Sequence, residues 1–283
     1  EGAVARTVFR AVERRFQSLG MEPPHRLKAG ETAHGGEELW DPLKRQRVLV
    51  HLEHNVCEVS LDTTGGHLHQ RGYRLQHAGA PIRETLAAAI LMRSGWTGEA
   101  PLVDGMCGSG TFAIEACLMA RRLPPAAVRS FLFETWPSFE EKTWRYLKRK
   151  ALEQAAARLP FPVVGVDRDP CSLEVSLANA VRAGVERDIQ WVQADFFQLD
   201  PGVLGAERGT VLLNPPYGKR LKEDPGSTYD RVGARLREAF RGWRAVVLAP
   251  DRESAARLRL GSVRYWKVIH GGSVVTVVFC NVD

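Results

Sequence analysis

The chain has 283 residues, 44% of them hydrophobic and 25% charged, which is ordinary for a globular protein long enough to bury a real core. Its 39 basic and 33 acidic residues leave a net charge of +6, which permits a polyanionic partner only where the basic groups cluster. No apolar run approaches the roughly 20 residues of a membrane span, and the five cysteines contain no Cys-x-x-Cys pair, which argues against a disulfide framework and a structural zinc site.

In chain order, Val4, Val8, Val12, Phe16 and Leu19 recur at helical spacing, and Gly20 is a suitable stop. Residues 21–46 are rich in Pro, Gly and charge and read as loop. Val48-Leu49-Val50 and Val56/Val59/Leu61, separated by His54-Asn55, predict a hairpin. A helix and a hairpin are too little for a self-sufficient domain, so residues 1–70 read as part of one. The N-terminus shows no charged-then-apolar signal pattern, and a start at Glu1 rather than Met predicts an upstream portion.

From about residue 80 strands and helices alternate. A helix is expected over 81–93, with Pro81 early and Gly95 after it. A strand ends at Leu102-Val103-Asp104, and a helix follows from Thr111 to Arg122. Ser138 and Glu141 have capping-box spacing at the head of a long helix. Val163 to Asp167 is a strand, and Asp169-Pro170 provides an N-cap and N1 proline for a helix carrying Leu173, Leu177 and Val181, ending at Gly184. Strands are expected at 189–192, 210–213 and 245–248, a helix at 227–240, and a final hairpin at 263–269 and 274–280. This alternation predicts an α/β fold with a doubly wound, mainly parallel sheet, its binding crevice at the C-terminal strand ends where strand order switches.

Four of those strands end in ligand-type residues. After the first comes Asp104-Gly105-Met106-Cys107-Gly108-Ser109-Gly110-Thr111, a turn whose glycines let backbone approach a ligand at a helix N-terminus. Gly108-x-Gly110-x-x-Ala113 also fits a dinucleotide fingerprint, but Asp104 would repel a pyrophosphate and suits a ligand's ammonium group. Asp167 can accept both hydroxyls of a ribose, or simply cap its helix. Asp195 can accept from an adenine amine with Phe196 packing nearby, or sit as a solvated turn residue. The fourth strand runs into Asn214-Pro215-Pro216-Tyr217. Its two prolines hold the Asn214 and Pro215 carbonyls outward, the Asn214 side chain adds an acceptor, and Tyr217 offers a flat face. That mouth suits alkylation of a planar amino group. Together the four ends outline S-adenosylmethionine, with its methyl aimed at Asn214.

The runs VDGMCGSGTFAIEA (103–116) and NPPYGKR (214–220) resemble the THUMP-associated RNA guanine-N2 methyltransferases, especially the bacterial 23S rRNA guanine-N2 enzymes. Residues 68–91 resemble that family's lead-in to the catalytic domain, 129–139 its insertion between the first two strands, and Gly165-Val166-Asp167-Arg168-Asp169-Pro170 its ribose-binding turn. Two departures stand out: Gly105 replaces the family's common proline, and His270-Gly271-Gly272 replaces its Asn-Gly turn. The resemblance implies a Rossmann-like class I methyltransferase domain over 71–283, preceded by a partial THUMP-like RNA-binding segment over 1–70.

The candidate cofactor-binding residues are then Pro81, Asp104, Met106, Cys107, Gly108, Gly110, Thr111, Asp167, Arg168, Asp195, Phe196 and Asn214, for S-adenosylmethionine. The catalytic set is Asn214, Pro215, Pro216 and Tyr217. Lys219, Arg220 and Lys222, beyond the mouth, are candidates for RNA phosphate contacts. Arg71 and Arg74 are further candidates, with a structural ion pair as the competing reading. No metal site is expected, Cys107 reads as a small residue in a crowded turn, and Trp136 and Trp144 as core. The expected activity is N2-methylation of guanine in RNA, ribosomal rather than transfer, in the cytoplasm. Adenine-N6, cytosine-N4 and glutamine-N5 methyl transfer can use the same mouth, and a catalytically silent RNA-binding assembly factor is the non-enzyme alternative.

Overall fold

The computed structural model describes residues 2–23, 45–75, 82–124, 129–204, 206–216 and 225–283. The chain divides into two compact units, Glu1–His67 with Phe131–Phe139, and Leu68–Ser130 with Glu140–Asp283.

The smaller unit contains helix α1 (Gly2–Ser18) and a hairpin of β1 (Val48–Glu53) and β2 (Val56–Leu61). His54 and Asn55 both have positive φ, 48° and 61°, the mirror-image turn that matches strand twist. Residues 131–139, assigned by sequence to the catalytic domain, belong here. The Phe133 amide donates to the Thr63 carbonyl at 3.1 Å, and the Trp136 indole to the Gln46 side chain at 3.0 Å.

The larger unit runs α2 (Glu84–Ser94), β3 (Leu102–Asp104), α3 (Thr111–Ala120), α4 (Glu141–Glu153), β4 (Val163–Asp167), α5 (Pro170–Ala183), β5 (Ile189–Gln193), β6 (Thr210–Leu213), α6 (Pro225–Ala239), β7 (Arg244–Ala249), α7 (Arg252–Arg257), β8 (Val263–His270) and β9 (Ser273–Asn281). Its seven strands lie in the order β5-β4-β3-β6-β7-β9-β8; the first five are parallel, and β9 runs antiparallel between β7 and β8. Successive residues on a strand face opposite sides, so Leu212 joins one apolar cluster with Ile90, Phe112 and Ile114. Val211 and Leu213 join the other with Tyr229, Leu236 and Phe240. The chain turns outward from β3 through β5 and returns to β6 beside β3. The switch in strand order therefore falls between β3 and β6.

Several ends match their sequence signals. Asp169 caps α5, accepting from the Cys171 amide at 3.1 Å, with Pro170 at N1, and Gly184 and Gly95 close their helices in the left-handed conformation. Three expectations fail. The Ser138–Glu141 capping box is absent: α4 starts from Glu140 without a side-chain cap. α2 begins at Glu84, and Pro81 lies outside the described residues. The α7 helix was not foreseen, although Asp251 caps it through the Ser254 amide at 2.7 Å.

Candidate functional site

β3 and β6 are direct neighbours, with Asp104 opposite Leu212, so the turn after β3 and the segment after β6 open on the same end of the sheet. The turn is laced to both flanking strands. Gly105 donates to the Leu212 carbonyl at 3.0 Å and Cys107 to the Val166 carbonyl at 2.9 Å. Asp104 sits beneath it, 1% exposed, and neither carboxylate oxygen has a hydrogen-bond partner. Burial pushes its pKa up to about 8; interaction with the backbone amide of Ala113 offsets some of that, and the Asp167 carboxylate adds to it. A buried, unpaired carboxyl is costly unless something cationic meets it.

Asp167 is held ready from two sides: its Oδ2 accepts from the Gly108 amide at 2.9 Å and its Oδ1 from the Asp169 amide at 3.0 Å. Each oxygen retains a lone pair for a further donor. Asp195 caps a short turn through the Phe197 amide at 3.0 Å, leaving its other oxygen for a ligand. Arg168 is exposed beside them.

The two glycines differ in purpose. Gly108 has φ 53° and open space where a side chain would sit, so a ligand can approach it. A Cβ on Gly110 would lie 2.8 Å from the Trp191 ring and 3.0 Å from Ser176 Cβ, so this glycine permits close packing inside the protein. Gly105, the departure from the family's proline, would drive a Cβ to 2.6 Å from both Leu213 and Phe196.

Three nominated side chains are removed from the ligand face. Phe196 is 2% exposed and stacks on Phe240 with centroids 5.6 Å apart, so its ring fills the core and only its backbone can face an adenine. Thr111 is buried, and its hydroxyl accepts from Arg74 at 3.3 Å. Cys107 is buried, with its thiol pKa pushed far up by burial, which leaves it a packing residue. Met106 is half-buried against the core.

Arg71 and Arg74 are engaged in ion pairs, the competing reading of their sequence. Arg71 pairs with Glu115 at 3.3 Å and Arg74 with Glu84 at 3.0 Å, and these side chains are 12% and 9% exposed. Tyr73, between them, donates to Glu115 at 3.0 Å. The lead-in segment is thus stapled to α2 and α3.

The sequence reading missed the residues that hold the turn in shape. Ser176 on α5 donates to the Gly108 carbonyl at 2.6 Å, and the fully buried Asn179 donates to the Ser109 carbonyl at 3.1 Å. Arg182 in turn donates to Asn179 Oδ1 at 2.8 Å and to the Tyr73 carbonyl at 2.8 Å. Both the carbonyls and the Gly105, Cys107 and Gly108 amides of the turn are thus tied into the protein, which fixes its shape. Ser172, Ser176 and Asn179 at i, i+4 and i+7 were the available signal.

After β6, Asn214 is half-buried, Pro215 buried and Pro216 exposed. Asn214 Oδ1 is buried without a partner. Tyr217, Lys219, Arg220 and Lys222 lie outside the described residues.

A parallel sheet whose order reverses at β3/β6, with an antiparallel β9 inserted beside β7, is the Rossmann-like class I methyltransferase fold. More particularly, the RMKL-like methyltransferase domain family (UPF0020) matches residues 71–276, and the chain belongs to that family. It is 40% identical over 231 residues to the ribosomal RNA large subunit methyltransferase K/L of Vibrio parahaemolyticus, covering 80% of this chain and 32% of that protein. It is 36% identical over 232 residues to slr0064 of Synechocystis, provisionally named an RNA methyltransferase, covering 81% of this chain and 60% of that one. The crystal structure of SMU.472, a provisionally assigned methyltransferase complexed with SAH, superposes with a TM-score of 0.79 at 26% identity, covering 98% of this chain and 69% of its own. The chain therefore spans about a third of the first relative and three fifths of the second.

Proposed function

We propose that this chain is an S-adenosylmethionine-dependent RNA methyltransferase that modifies the exocyclic N2 amine of guanine in 23S ribosomal RNA. The observation that carries the reading is the pair of buried, unpartnered acceptors flanking the strand switch, the Asp104 carboxylate and Asn214 Oδ1. Their separate demands are a cation and an N–H donor, which match an amino-acid ammonium and a nucleobase amine. The RNA naming of the relatives supports the substrate class.

When bound, the cofactor would supply an electrophilic sulfonium methyl. Asp104 would pair with its ammonium, Asp167 would accept from the ribose hydroxyls, and the free oxygen of Asp195 from the adenine amine. Asn214 Oδ1 and the carbonyl of Asn214 or Pro215 would each accept one N–H of the target amine. Holding both hydrogens favours a pyramidal nitrogen, whose lone pair is otherwise delocalised into the guanine ring. Tyr217 would stack on the base. Orientation carries much of the rate in such an in-line transfer. A paired base cannot reach this mouth, so the target is single-stranded or flipped.

The domain reading accompanies this proposal: residues 71–283 without 131–139 would catalyse, and 1–70, joined by 131–139, would contribute a THUMP-like RNA-binding segment. The five cysteines are free, and no described helix is long and apolar enough to cross a membrane, in keeping with a cytoplasmic role. The deciding experiment incubates the protein with methyl-labelled cofactor and ribosomal RNA and identifies the labelled nucleoside by mass spectrometry. N2-methylguanosine is expected. Labelled N6-methyladenosine or N4-methylcytidine would reassign the base, and label found only in protein would reject an RNA substrate.

A further inference from the structure

We propose that helix α4 is a second RNA-docking surface, gripping the sugar–phosphate backbone away from the catalytic mouth. The proposal rests on the RNA reading above. α4 carries five basic residues (Lys142, Arg145, Lys148, Arg149, Lys150) and two acidic ones, a surplus of three in 13 residues against +6 for the whole chain. Half the net charge is thus concentrated on one helix, the clustering that polyanion binding needs.

Packing accounts for only one side of this helix, where Trp144 and Lys148 are half-buried. In α3, eight of ten residues are buried; in α4, none is. Lys142, Arg145, Tyr146 and Arg149 fall at i, i+3, i+4 and i+7, so they form one outward stripe. Tyr146 is 50% exposed, with the Arg149 guanidinium 5.6 Å and the Lys150 ammonium 5.9 Å from its ring centre. An aromatic face bracketed by cations fits a stacked base between phosphates.

The basic groups are also available. Arg145 meets Glu141 at 3.4 Å, Arg149 meets Glu153 at 3.7 Å and Lys150 meets Glu153 at 2.9 Å, with each side chain between 49% and 69% exposed. Such pairs are weak and readily exchanged for phosphate. Just beyond α4, the Ala156 amide bonds the Arg121 carbonyl at the far end of α3. That anchor lies one helix length, about 15 Å along ten residues, from the glycine turn. RNA held at the C-terminal end of α4 would therefore be contacted outside the modified nucleotide.

The test compares the full chain with Lys142→Glu/Arg145→Glu/Arg149→Glu, using a fluorescein-labelled hairpin from 23S ribosomal RNA at two or more salt concentrations. The reversal should weaken RNA binding at least tenfold and lower the salt slope by about two, while SAH affinity, which reports an intact catalytic unit, stays unchanged. Tyr146→Ala should cost several-fold with the slope retained, and Tyr146→Phe should restore it. If wild type binds RNA and the triple variant matches it in affinity and slope, α4 is not an RNA surface. If wild type itself binds no RNA, the substrate reading fails instead. Charge-dependent binding to phosphatidylglycerol vesicles, with RNA binding untouched by the reversal, would overturn the proposal in favour of a lipid surface.

Discussion

The amide of Gly108 donates to the Asp167 carboxylate at 2.9 Å, joining turns 59 residues apart in the chain. This bond fixes the carboxylate that is proposed to receive the ribose relative to the turn proposed to receive the methionine moiety. Asp167→Ala should weaken cofactor binding by about 1.5–3 kcal/mol, the scale of hydrogen bonds to a charged acceptor. Titration calorimetry with SAH measures it. Unchanged affinity removes Asp167 from the ribose role, and tight NAD binding would overturn the cofactor assignment.

If Asp104 meets the cofactor's ammonium, cofactor binding should be proton-linked. Its folded pKa is raised from 3.8 to about 8, so at neutral pH the ligand-free protein holds a protonated carboxyl there. The contribution to stability is fully present below pH 3.8, declines as pH rises towards 8 and is level above it, because the folded state alone binds the proton in that window. An arriving ammonium favours the ionised form, so binding should release close to one proton at pH 7 and none well above pH 8. Calorimetry in buffers of different ionisation enthalpy counts that proton. Asp104→Asn should abolish the release; an equal release in this variant would assign the proton elsewhere.

Asn179 and Ser176 should act on the cofactor through the turn they hold. Ser176→Ala deletes one donor to the Gly108 carbonyl and should cost about 1 kcal/mol of stability. Its main signature is a raised KM for S-adenosylmethionine with kcat nearly unchanged. Asn179→Ala strands both the Ser109 carbonyl and a guanidinium contact in a fully buried place, so a loss of about 1–3 kcal/mol is expected. A stability loss in Ser176→Ala with no change in KM would mark that residue as structural only.

These two residues also show where reading the sequence stopped short. The alternation of strands and helices, the caps at Asp169, Gly184 and Gly95, and the polar strand ends are local signals, and each was legible. On α5 the eye goes to Leu173, Leu177 and Val181, yet Leu177 and Val181 are 45% and 55% exposed, whereas Ser176 and Asn179 are buried. The helix turns its polar stripe inward because the carbonyls of the glycine turn need donors, a requirement created by a segment 68 to 70 residues earlier. Phe196 failed for a related reason. Whether the ring after Asp195 faces ligand or core depends on the room that Gly105 leaves beneath it, which no local pattern records. Arg71 and Arg74 were two-sided in sequence, and Glu115 and Glu84 decided between phosphate and ion pair.

Catalysis should separate from cofactor binding at Asn214. Its side-chain oxygen is buried and unpartnered at the end of β6, beside Pro215, whose ring fixes the backbone and removes a competing donor. Asn214→Ala removes an acceptor for the target amine but no proposed partner of Asp104 or Asp167. Methyl transfer should therefore fall by two or more orders of magnitude, about 2.7 kcal/mol or more of transition-state stabilisation. SAH affinity should stay within several-fold. Asn214→Asp keeps an acceptor of the same size and should retain more activity than the alanine variant, since a carboxylate can still accept an N–H. Single-turnover assays at saturating RNA and cofactor separate this from weakened binding. A variant that turns over normally on ribosomal RNA would show that the mouth after β6 is not where the amine is held.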